Sequence, residues 1–117
     1  MRKTGLLALA AALAAAFGTT PANSQARCVE GATITVTGTI DRAYQDKTTD
    51  GSQTWTIEVR SQGRGECAVD ELWGDGLLPP ACADGKSFRS TGVYDDDPDL
   101  ELLFLDAILA VRSVACK

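Results

Sequence analysis

Between Thr33 and Ile40 the chain reads Thr-Ile-Thr-Val-Thr-Gly-Thr-Ile, with an apolar residue or glycine at every even position and threonine at every odd one. A repeat of two with β-branched residues on both faces fits a pleated strand and does not fit a helix. Gly38 interrupts the inward row at mid-strand, where a missing side chain permits a bulge or sharp coiling. The strand runs out near Tyr44. Gln45–Gln53 is then polar and carries the turn signal Asp50-Gly51.

The same period returns downstream. Trp55, Ile57 and Val59 alternate with Thr54, Thr56, Glu58 and Arg60, which predicts a half-buried second strand. A turn over Ser61–Gly65 leads to a short third strand at Glu66–Val69. Asp70–Pro80 mixes Leu72, Trp73, Leu77 and Leu78 with glycines and prolines and reads as an irregular insert that tucks apolar side chains under a barrel, since Pro79-Pro80 prevents a long helix. Ala83–Lys86 is another turn, and Ser87–Tyr94 is a fourth strand around Gly92. Leu100–Ala115 is apolar with a period ambiguous between helix and strand; the all-β context favours a fifth strand near Leu103–Arg112.

The amino end has a different composition. Arg2 and Lys3 precede an Ala/Leu run from Leu6 to Phe17, Gly18–Pro21 breaks any helix, and Ser24-Gln25-Ala26 offers the small residues a signal peptidase accepts. Residues 1–26 are therefore expected to be a cleavable secretory signal peptide. The apolar run is too short for a retained anchor, and Arg27 before Cys28 does not suit a lipobox. Residues 27–117 form the expected domain, periplasmic or secreted. Without Arg2 and Lys3 the chain keeps 9 basic against 16 acidic side chains, a net charge of −7. An acidic domain with no basic stripe disfavours nucleic acid as a partner.

All four cysteines, Cys28, Cys67, Cys82 and Cys116, lie after the leader, and an even count in a small exported domain predicts two disulfides. Three connectivities are open. Spacing favours a local Cys67–Cys82 bridge and, by elimination, Cys28–Cys116; on the chain-entropy model the first stabilises by about 3 kcal/mol and the second by nearly 5. A zinc site is disfavoured by the lack of histidine and of any Cys-x-x-Cys pair. Without histidine the chain also lacks the commonest general base, and no motif selects a catalytic pair among sixteen carboxylates, so an enzyme is not expected. No cofactor or metal is expected either.

Val36-Thr37-Gly38-Thr39-Ile40 opening the domain, Gly85-Lys86 followed by Gly92, and a final apolar strand at Leu103–Val111 resemble an OB-fold, and more narrowly the small exported bacterial OB-fold domains of the tRNA-anticodon-binding-like family. The resemblance covers Gly31–Ser113. It implies an all-β, five-stranded Greek-key barrel with a short helical or looped insert between strands three and four. The tRNA function that the family name carries does not suit an exported chain whose second and third strands offer Trp55, Glu58, Arg60 and Glu66.

An OB barrel binds on the face of strands two and three, between flanking loops, and that geography nominates Tyr44, Asp46, Trp73, Tyr94 and Asp95. For Trp55 and Trp73 the simpler role is core or plug packing, and for Tyr44 and Tyr94 it is rim packing. Asp95, Asp97 and Asp99 imitate the first ligands of an EF-hand, but Leu100 stands where its glycine belongs and Asp106 where its glutamate belongs, so a solvated turn is the better reading. The expected function is a non-catalytic exported binding module for a protein or carbohydrate partner. The alternative is an inhibitor or accessory subunit that inserts a loop such as Gly74–Pro80 into an extracellular enzyme.

Overall fold

The computed structural model describes residues 28–60, 64–65 and 67–117. The expected signal peptide and most of the turn over Ser61–Gly65 lie outside the described residues. The strands are β1 (Thr33–Lys47), β2 (Gln53–Val59), β3 (Arg64–Gly65), β4 (Glu71–Asp75), β5 (Ser87–Asp95) and β6 (Ile108–Cys116), with a 3-10 helix at Pro98–Leu103 between β5 and β6. Among the described residues no helix is long and apolar enough to cross a membrane.

Five of the strands close on themselves. β1 pairs with β2, β2 with β4, and β6 with β5, which returns to β1; these pairings are antiparallel, while β4 and β6 run parallel. The last two strands thus exchange places in the circuit, which makes a Greek-key barrel of the OB-like kind the sequence led us to expect. The two-residue β3 lies beside β1 at Val36 and Thr37. β1 serves two neighbours because it bends: its first half runs along β5, and its second half, after a register shift between Ile40 and Arg42, runs along β2.

The alternation anticipated in β1 and β2 fills the barrel. Ile34, Val36, Ile40, Ile57, Leu72 and Leu109 are fully buried, joined by Trp55 and Phe88. Ser90 is buried among them, and its hydroxyl donates to the Ser113 carbonyl at 2.8 Å, so this buried donor is paired. Two glycines are set by close approach. A Cβ on Gly92 would lie 2.3 Å from the Ala110 carbonyl oxygen, and a Cβ on Gly74 would lie 2.0 Å from the Trp55 ring. Trp55, directly across the ladder from Gly74, covers that gap with its indole.

Three expectations change. The third barrel strand is Glu71–Asp75. Of the strand expected at Glu66–Val69, Glu66 lies outside the described residues, and Cys67 and Val69 are buried without joining the ladder, while Gly74 occupies an inward position and so hides the period of the strand that does form. The apolar run after Leu100 divides into a 3-10 turn and a strand that begins only at Ile108. Asp70 sets that start, because its carboxylate accepts from the Asp106 and Ala107 amides at 2.6 and 3.1 Å.

The cysteine pairing is the third. All four cysteines are bridged, but as Cys28–Cys67 and Cys82–Cys116, with Cα separations of 5.7 and 5.1 Å. The expected Cys67–Cys82 bridge fails because β4 runs between the two residues and carries the chain along the barrel wall, about 3.3 Å per residue. The expected Cys28–Cys116 bridge fails because those residues belong to opposite ends of β5. Gly31, close to Cys28, donates to Tyr94, whereas Cys116 pairs with Phe88.

Candidate functional site

Even-numbered residues in the second half of β1 and in β2, and odd-numbered residues in β4, point away from the core. Register turns them into a grid of three rows: Arg42, Glu58 and Glu71; Tyr44, Thr56 and Trp73; and Asp46, Thr54 and Asp75. The face therefore has an aromatic middle row between two charged ones, with one guanidinium against four carboxylates.

The first row is tightly connected. Arg42 Nη2 lies 2.9 Å from Glu58 Oε2, and the guanidinium sits 5.1 Å above the Tyr44 ring centroid. The Tyr44 hydroxyl donates to the same Glu58 oxygen at 3.4 Å, and the Trp73 indole N–H donates to Glu71 Oε1 at 2.7 Å. Glu58 thus receives both the cation and the phenol, which fixes Tyr44 in place. Partial burial, then the negative charges of Glu71 and Glu58, push the Tyr44 phenol above its ordinary range, while a hydrogen bond with Thr56 and the charge of Arg42 pull the other way. Beside Trp73 opens a shallow groove of about 430 Å³, lined among others by Thr54, Thr56, Asp75 and Ala110.

The far end of the grid is braced from within. The Gln45 side chain donates to the Thr54 and Gly76 carbonyls at 2.8 and 2.9 Å and accepts from the Leu78 amide at 2.7 Å, tying the segment after β4 to β1 and β2. Gly74 and Asp75 therefore belong to the barrel wall, and Leu78 packs against the core.

Of the residues nominated from sequence, Tyr44, Asp46 and Trp73 come together on this face. Tyr94 and Asp95 do not. Tyr94 ends the inward row of β5, where it packs against the core and is backbone-bonded to Gly31 and Ala32; burial and then Asp96, Asp106 and Asp70 raise its phenol pKa. Asp95 lies further around the barrel, separated from Glu71 by Ile108. Arg42, Glu58 and Glu71 were not nominated. The first two could have been found from their shared parity with Tyr44 and Thr56, whereas Glu71 was hidden with its strand.

No family model matches this chain, and no curated protein matches it in sequence.

Carboxylates also gather where β5 ends. Oxygens of Glu30, Asp95 and Asp97 lie within 4.8 Å of one another, and partial desolvation followed by the charges of Asp95, Asp97 and Asp96 raises the Glu30 pKa. Asp95 accepts from the Asp97 amide and Asp97 from the Asp99 amide, both at 2.9 Å, so these side chains shape the turn and cap the 3-10 helix.

Proposed function

We propose that this chain is a non-catalytic binding module that works in the periplasm or the extracellular medium and holds an oligosaccharide against the outer face of β1, β2 and β4. The observation that carries this reading is the Tyr44–Thr56–Trp73 row beside an open groove. A sugar ring offers an apolar face to an indole and hydroxyls to flanking acceptors, and the groove supplies both in the Trp73 ring, the Thr54 and Thr56 hydroxyls and the Asp75 carboxylate. Four carboxylates around the row favour neutral or amino sugars over polyanionic ones. The oxidised state of all four cysteines supports an exported setting.

The test is a glycan array probed with the oxidised protein, followed by titration of the best ligand against the parent and Trp73→Ala. The reading expects saturable binding with quenching of indole fluorescence, and a loss of about tenfold or more in the variant, the scale of an aromatic anchor. Absence of any glycan ligand, or binding that ignores the loss of Trp73, refutes it. A protein ligand competing for Trp73 instead would transfer the site to the protein class.

A further inference from the structure

The loop between β5 and β6 exposes what a folded chain normally hides. Leu100 turns inward and is 6% exposed, but Leu102, Leu103 and Phe104 are 81%, 56% and 96% exposed. Three large apolar side chains in succession at one loop tip are a patch, not scattered surface leucines.

The tip is also tied down by its own backbone hydrogen bonds. Phe104 adopts φ 63°, in the left-handed region that aromatic residues rarely enter, and its amide donates to the Glu101 carbonyl at 3.0 Å while Leu105 donates to Leu100 at 3.1 Å. Asp97 caps the incoming side, and Asp70 takes the Asp106 and Ala107 amides on the outgoing side. The backbone therefore aims the ring outward instead of letting it fold back. A preset apolar tip loses little conformational freedom on docking.

Charge selects what it docks into. Asp95–Asp106 contains six carboxylates and no lysine or arginine. A second copy of the same loop, or an anionic lipid surface, would meet like charge. We propose that the Leu102–Phe104 tip is an anchor for a partner protein whose surface has an apolar pocket bordered by lysine and arginine side chains. This surface is distinct from the Trp73 face, so the two proposals stand or fall separately.

The experiment replaces Phe104 by the photocrosslinker p-benzoylphenylalanine in cells that produce the full chain, with the same substitution at exposed Lys47 as control. The adduct specific to position 104 is identified, and the purified partner is titrated against the parent, Phe104→Asn and Asp96→Lys/Asp99→Lys. Asparagine tolerates the left-handed backbone, so Phe104→Asn removes the ring without forcing the turn open. The proposal expects a single protein adduct, affinity reduced on the order of 30-fold by Phe104→Asn, and a weaker, less salt-sensitive complex for the charge-reversed variant. It is overturned by adducts to lipid or to the chain itself, by the absence of an adduct, or by an affinity that neither variant changes.

Discussion

Removing one disulfide at a time separates the observed connectivity from the nested one that spacing suggests. Cys28–Cys67 spans a sequence separation of 39 and Cys82–Cys116 one of 34. On the chain-entropy model, loops of these two lengths each restrict the unfolded chain by about 4 kcal/mol at 25 °C, differing by only ~0.1 kcal/mol. Because the loops follow one another without overlap, their contributions should add. Under the nested pairing, replacing both Cys28 and Cys67, or both Cys82 and Cys116, by alanine would break both bridges at once and lose about 8 kcal/mol in either case. The perturbations are Cys28→Ala/Cys67→Ala and Cys82→Ala/Cys116→Ala, with alanine chosen so that no hydroxyl is left in the buried Cys67 and Cys82 positions. Urea unfolding reports each loss, and non-reducing peptide mapping of the parent reports the linkage. We expect similar losses near 4 kcal/mol, and a chain lacking both bridges that is unfolded, since about 8 kcal/mol exceeds what a core this small supplies. A linked peptide joining Cys67 to Cys82, or a loss of about 8 kcal/mol in either variant, would refute the reasoning.

Gly92→Ala should cost about 3 kcal/mol or more in urea unfolding, at the top of the overpacking range, because its Cβ meets backbone atoms of Ala110 and Val111 that cannot swing aside; a melting temperature equal to that of the parent would contradict the close approach. Asp70→Ala should cost about 2 kcal/mol and speed hydrogen exchange at Asp106 and Ala107, which lose a charged acceptor. Asp50, pulled down to about 2 by its hydrogen bonds with Thr48 and Ser52, should be among the last carboxylates to protonate in an NMR titration. Its depressed pKa means that the support it gives the Thr48–Ser52 turn is present above the ordinary aspartate range and is lost as pH falls from about 4 to about 2. Tyr44 has the opposite sign: with its folded pKa raised, its contribution is intact below the ordinary phenol pKa and is lost as pH rises through the raised one, and Glu58→Gln should bring its ultraviolet ionisation to lower pH.

The parts of the fold legible in the sequence were those in which side-chain chemistry and period agree. Thr33–Ile40 keeps its threonine row intact even where Gly38 blanks one inward position, and Thr54–Val59 alternates throughout, so β1 and β2 are legible close to where they lie. β4 escaped because Gly74 leaves one inward position blank, and the Trp55 side chain that fills it comes from a different strand. Leu103 and Phe104 mislead for the converse reason: an apolar run reads as the start of the final strand, and here those side chains are exposed in the loop before it. Tyr44, Asp46 and Trp73 were recognised as surface candidates, but the pairing of Glu58 with Arg42 and of Glu71 with Trp73 depends on cross-strand register, which no local pattern encodes.

The order of the bridges along the chain also divides the molecule. One covalent loop closes 28–67 and the other 82–116, so residues 68–81, including all of β4, belong to neither. A protease cut inside either loop leaves the polypeptide a single molecule, whereas one cut between 68 and 81 releases two separately cyclised fragments that only noncovalent contacts hold together. The strand that carries Trp73 is thus also the tether between the halves, and a nick beside it turns a one-chain barrel into a dissociable two-fragment complex whose assembly depends on concentration.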